Sequence, residues 1–105
     1  MYLHELIDEL KKHDPAKRVR RGFDSPHSYR GYYDELAFEP CGETTVGEML
    51  EAAQSAVGET YQGWKGGDFL MNDWTPVHLA HMGDCGEDLG STLLSYMLAD
   101  EVRQP

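Results

Sequence analysis

Thr45-Val46-Gly47-Glu48-Met49-Leu50-Glu51-Ala52-Ala53-Gln54-Ser55-Ala56-Val57-Gly58 is the stretch on which the reading of the fold turns. Thr45-x-x-Glu48 is a capping-box pattern, in which a hydroxyl satisfies a first-turn N–H and a carboxylate reaches back. Met49, Leu50, Ala53, Ala56 and Val57 then form an apolar stripe at helical spacing, and Gly58 suits the left-handed C-terminal cap. A central amphipathic helix is therefore expected, and the rest of the chain is placed around it.

Upstream, Leu3, Leu6, Ile7 and Leu10 recur at i, i+3, i+4 and i+7, which predicts a first helix over Tyr2 to His13, ended by Asp14-Pro15. Val19 to Phe23 reads as a short strand, although Arg21 then falls awkwardly on its apolar side. Residues 24–31 read as a loop from their Asp, Ser, Pro and Gly content. Tyr33 to Glu39 reads as a strand closed by Pro40. Downstream, Thr60 to Trp64 and Phe69 to Met71 read as a hairpin around Lys65-Gly66-Gly67, and Thr75 to His81 as a further strand. After a Gly83-Asp84-Cys85-Gly86 turn, Leu89, Leu93, Tyr96 and Met97 predict a C-terminal helix within Asp88 to Val102. The expected fold is α+β, a single domain over 1–105 with a mixed or antiparallel sheet of four to five strands covered on one face by three helices.

The chain has 105 residues, 40% of them apolar, and a formal charge of −10. That apolar content suffices for one modest core, and a second subunit covering one face is expected. No apolar run reaches the ~18 residues of a membrane span, and the N-terminus is amphipathic rather than signal-like. Cys41 and Cys85 form no CxxC and are expected to be reduced thiols. Lys11, Lys12, Lys17, Arg18, Arg20, Arg21 and Arg30 crowd the first thirty residues, whereas Lys65 and Arg103 are the sole cations beyond them. Such an acidic chain repels polyanions, so DNA and RNA are not expected partners. The Lys17 to Arg21 cluster is read as a solvated strand face paired with the acidic remainder.

Two segments carry chemistry that a core does not need. In Tyr61-Gln62-Gly63-Trp64-Lys65-Gly66-Gly67-Asp68, one indole and one ammonium sit among three glycines. Glycine lets backbone N–H groups approach a ligand, and a lone cation in an acidic region calls for an anionic partner. Pro26-His27-Ser28-Tyr29-Arg30-Gly31 adds an imidazole, hydroxyls and a guanidinium. Together they supply the donors a phosphate wants and the flat rings on which a base stacks. The candidate ligand-binding residues are His27, Ser28, Tyr29, Arg30, Tyr61, Trp64, Lys65, Gly66, Gly67 and Asp68. The competing reading pairs Arg30 and Lys65 with surface acids and puts Trp64 in the core.

Other chemistries are less well supported. The Gly-x-x-x-x-Gly-Lys-Ser/Thr order of a P-loop is absent. His78-x-x-His81 with Asp84 and Cys85 has metal-ligand residue types, but on a strand positions 78 and 81 point to opposite faces. His27 beside Ser28, or Asp68 with Asp73, names no tuned acid–base pair. Neither a metal nor a cofactor is expected, and no catalytic residue is assigned.

At Gly22-Phe23-x-x-Pro26-His27-Ser28-Tyr29-Arg30-Gly31, Tyr33-x-x-Leu36-Ala37-Phe38, Thr45-Val46-Gly47-Glu48-Met49-Leu50 and Tyr61-x-Gly63-Trp64-Lys65-Gly66-Gly67-Asp68, the chain resembles a family of small actinobacteriophage proteins. By class rather than by motif, it is similar to the phage anti-defence sponges Sequestin and Lockin, which bind ADP-ribose-type signals made by Thoeris TIR enzymes. The resemblance implies a homo-oligomeric protein in the cytoplasm of an infected bacterial host. It would sequester a phosphorylated nucleotide signal, such as cyclic ADP-ribose or a cyclic dinucleotide. In that reading Arg30 and Lys65 take phosphates with the Gly66 and Gly67 amides, His27 and Ser28 contact ribose or phosphate, and Trp64 or Tyr29 stacks. The alternatives are a hydrolase of such a nucleotide and an acidic inhibitor of a host protein.

Overall fold

The computed structural model describes residues 1–28, 36–62, 68–80 and 86–102. Three helices, α1 (Leu3–Lys11), α2 (Val46–Ala56) and α3 (Ser91–Ala99), accompany eight strands: β1 (Arg18–Val19), β2 (Gly22–Ser28), β3 (Leu36–Cys41), β4 (Thr44–Thr45), β5 (Thr60–Gln62), β6 (Asp68–Leu70), β7 (Val77–Ala80) and β8 (Gly86–Asp88). The principal sheet has the order β2-β3-β7-β8, and β1 with β4 and β5 with β6 form two-stranded ribbons. Within the principal sheet β3 and β7 run parallel and the outer pairs are antiparallel. The fold is α+β with a mixed sheet.

A parallel pair needs a crossover, and here it runs through β4, α2 and the β5–β6 hairpin. One sheet face, bearing Phe23, Leu36, Phe38, Val77 and Leu79, is sealed by Leu3, Leu6 and Leu10 of α1, Met49 and Ala53 of α2, and Leu94, Met97 and Leu98 of α3. The Phe23 and Phe38 rings meet at 4.6 Å between centroids, and both are fully buried. Each such side chain contributes about 1.5–3 kcal/mol through burial. All three helices contribute side chains to this one core.

The capping box forms as its spacing predicts. Glu48 N–H donates to Thr45 Oγ1 at 3.1 Å, and the Glu48 carboxylate accepts from the Thr45 N–H and from the hydroxyl of buried Thr44. Gly58, at φ +80°, takes the left-handed cap, and its N–H donates to the Met71 carbonyl, tying the hairpin base to the end of α2. Leu3, Leu6, Ile7 and Leu10 are all buried on α1, as their periodicity requires.

Several local expectations are corrected. Residues 24–28 are not a loop but the second part of β2, which starts at Gly22, while β1 is a separate strand. Ser25 sits at φ +49° and the pairing slips by one residue between Asp24 and His27, a β-bulge. Pro26 is tolerated there because β2 is an edge strand and the bulge spares it a ladder N–H. Pro40 does not close β3; it lies opposite Phe23, past the last β7 partner, Phe38. A bend after Val19 lets Val19 and Phe23 both bury while Arg21 turns to solvent, which avoids desolvating a guanidinium. In α3 the buried stripe is Leu94, Met97 and Leu98; Leu89 is buried ahead of the helix, and Tyr96 is 73% exposed. Among the described residues, no helix is long and apolar enough to cross a membrane.

Hydrogen bonds, first from Thr44 and then from the Thr45 N–H, hold the Glu48 carboxyl below its ordinary pKa. A lowered folded-state pKa contributes stability that is complete above the unfolded value and is lost as pH falls through the folded one. Glu48→Gln should therefore lower the urea midpoint most at neutral pH, with the gap to wild type narrowing below the ordinary carboxylate range. A pH-independent gap would contradict this. A Cβ built on Gly22 would lie 2.1 Å from Thr44 Cγ2 and 3.1 Å from Met49 Sδ. Gly22→Ala should cost about 1–3 kcal/mol in urea unfolding, and Thr44→Ser, which removes that methyl and keeps the hydroxyl, should recover part of it. An unchanged midpoint in Gly22→Ala would refute the close approach.

Candidate functional site

The bulge in β2 decides which way His27 faces. Unbroken pairing would set His27 opposite Leu36, on the buried side with Phe23 and Phe38. The one-residue slip sets it opposite Ala37 instead, on the outer face shared with Asp24 and Glu39. His27 Nε2 lies 2.8 Å from Glu39 Oε1, with the two side chains 39% and 50% exposed, so the carboxylate orients the imidazole at an accessible surface. Register continues the row across the sheet: Ala37 is opposite His78 on β7, and His78 is opposite Asp88 on β8.

The other face of the sheet carries Asp24, His27, Glu39 and His78, with Ala37 fully buried between the two histidines. Ala37 offers no accessible surface, so what this face presents to a ligand is the hydrogen-bonding groups of His27, Glu39 and Asp24. Carboxylates there accept from hydroxyls or amines, and they repel a phosphate placed directly on them. An anionic ligand on this face must keep its charge toward cations elsewhere, and Arg30 and Lys65 are the cations in the two motif segments.

Of the candidates, His27 is described in full. Ser28 ends β2 opposite Leu36; Tyr61 lies opposite Phe69, and Gln62 opposite Asp68, in the β5–β6 hairpin. Tyr29, Arg30, Trp64, Lys65, Gly66 and Gly67 lie outside the described residues. The two arms of the expected hairpin pair antiparallel, from Thr60 opposite Leu70 to Gln62 opposite Asp68. β2 packs beside β5, so the two motif segments leave from neighbouring strands.

Glu39 and His78 were not singled out as ligand contacts from sequence. The Glu39 contact depends on the bulge, whose trace in the sequence is Ser25-Pro26 inside an otherwise strand-like run. His81, Asp84 and Cys85 of the metal-type cluster lie outside the described residues, and among the described residues no group of three His, Cys, Asp or Glu could hold a metal. Asp73 instead belongs to a turn against α1, where its carbonyl accepts from His4. The half-buried Cys41 thiol is pushed above its ordinary pKa, first by burial and then by the Asp24 charge, which is the opposite of an activated nucleophile.

Two clefts lie away from this face. One, about 350 Å³, runs between α1 and α3 past His13, Lys17, Leu94 and Leu98. The other, about 410 Å³, is bounded by His4, Ile7, Asp8, Lys11, Gln54, Val57 and Asp73. No protein-family model, curated protein or solved structure matches the chain.

Proposed function

We propose that the protein is a non-catalytic binder that sequesters a phosphorylated nucleotide between the segment following β2 and the tip of the β5–β6 hairpin. One observation carries this reading: the edge strand leading into Tyr29 and Arg30 packs beside the strand leading into Trp64 and Lys65. The approach of these two strands supports bringing together two segments far apart in sequence, each rich in ligand-type residues. Arg30 and Lys65 take the phosphates with the Gly66 and Gly67 amides, Trp64 or Tyr29 stacks on the base, and Asp68 lies at the hairpin base.

The acidic rim fits the sugar rather than the phosphate. His27, oriented by Glu39 at 2.8 Å, and the Glu39 carboxylate itself are suited to ribose hydroxyls or an exocyclic amine. Cys41, held as a thiol, is not placed as a nucleophile for a covalent hydrolase of the same ligand. The setting that completes the reading is an anti-defence protein of an actinobacteriophage, acting as a homo-oligomer in the infected host on an ADP-ribose-type or cyclic dinucleotide signal.

Calorimetric titration of ADP-ribose, cyclic ADP-ribose and cyclic dinucleotides tests the assignment. Arg30→Ala and Lys65→Ala should each weaken binding by about 1–3 kcal/mol with unchanged melting temperature, and Glu39→Ala should weaken nucleotides more than inorganic phosphate. Wild-type affinity in both cation variants would contradict the site.

A further inference from the structure

The turn at residues 72–75 displays a tryptophan that the core does not use. Trp74 is 68% exposed, yet its backbone is firmly held: its N–H donates to Asn72 Oδ1 at 2.8 Å, and the Thr75 N–H donates to the Asn72 carbonyl at 3.1 Å. The turn is pinned to the start of α1, where the His4 and Leu3 N–H groups donate to the Asp73 and Thr75 carbonyls. Three rings then form one cluster. His4 meets Trp74 edge-on at 4.6 Å, Tyr2 meets Trp74 at 5.6 Å, and Tyr2 stacks over His4 at 6.2 Å.

His4 Nδ1 lies 2.7 Å from the Asp73 carbonyl, which can only accept, so Nδ1 carries the proton and Nε2 is left as an acceptor in the neutral ring. The same imidazole borders the cleft that Asp8 and Asp73 line. His4 therefore joins an exposed indole on a rigid turn to a cleft lined by two carboxylates, Asp8 and Asp73, and one ammonium, Lys11. Electron-rich ring faces attract cations, and carboxylates complete a planar guanidinium better than a point charge. Rigid, pre-organised tryptophans are also the commonest energetic anchors of protein interfaces.

We infer that the Tyr2–His4–Trp74 cluster and its adjoining cleft dock an arginine-bearing segment of a basic partner protein, with the guanidinium on the Trp74 indole and paired to Asp73 and Asp8. Asp8 and Asp73 outnumber Lys11, the one cation in the cleft lining, and this acidic balance selects a basic partner for the face. This surface shares no residue with the nucleotide site proposed above and stands independently of it. The protein would then carry two binding faces, one for a small anion and one for a basic protein.

The test is an NMR titration of the ¹⁵N-labelled protein with acetyl-Gly-Arg-Gly-Arg-Gly-amide, following the Trp74 indole N–H, with the citrulline and lysine counterparts as controls. The arginine peptide should shift that signal saturably, the lysine peptide should bind more weakly, and the citrulline peptide should not bind. Trp74→Ala, followed through the backbone N–H signals of His4 and Asp73, and Asp73→Asn, which keeps the carbonyl that holds His4, should each weaken binding roughly fivefold to tenfold without lowering the melting temperature. Added salt should weaken it further. No shift at millimolar peptide, equal binding of the citrulline peptide, or full affinity in Asp73→Asn would overturn the proposal. So would a Trp74 shift that depends on protein concentration alone, which would assign the face to a second copy.

Discussion

The close approach of Gly22 to Thr44 and Met49 is the constraint on which the rest of the structure depends. With no Cβ at that position, the start of β2 lies against the first turn of α2. The same Thr44 whose methyl faces Gly22 gives its hydroxyl to Glu48 and so completes the helix cap. Sheet edge and crossover helix are locked at one point. Because α2 leads through Gly58 directly into β5, this contact also brings the hairpin beside β2. Packing at residue 22 thus sets the relation between two segments that are more than thirty residues apart.

Electrostatics contribute less to the fold than the charge pattern suggests. Arg18 pairs with Glu43 at 2.7 Å and Arg20 with Asp100 at 3.4 Å, but all four side chains are 42–64% exposed. Such pairs stabilise by about 0–1 kcal/mol each. They do consume the basic segment, tying residues 18–20 to the acidic remainder, and this leaves the outer surface dominated by carboxylates. That surface suits ribose, amines and guanidinium groups better than a polyphosphate backbone.

The helices were legible because their apolar residues recur every three to four positions: Leu3 to Leu10, and Met49, Ala53 and Ala56 behind the Thr45 cap, are buried as expected, whereas Val57 falls beyond the helix and is exposed. In α3 the expected stripe was partly right: Leu89 and Met97 are in the core and Leu93 packs against it, but Tyr96 faces solvent and Leu94 and Leu98 take its place. β2 was hidden by Ser25 and Pro26, turn-type residues that an edge strand accommodates in a bulge. The same bulge explains the partial legibility of the site. His27 stands out by residue type, whereas its contact with Glu39 follows from a parity change that spacing alone cannot reveal. The Trp74 turn was missed as a surface because Asn72-Asp73-Trp74-Thr75 reads as ordinary punctuation until α1 is placed against it.

Sequestration, as proposed, requires tight binding of a small nucleotide without turnover. The most direct measurement is to incubate the purified protein with cyclic ADP-ribose, ADP-ribose and cyclic dinucleotides, remove unbound ligand, denature by heat and identify what is released by mass spectrometry. One nucleotide should be released intact and in stoichiometric amount. Release of cleaved fragments, or of nothing, would contradict sequestration.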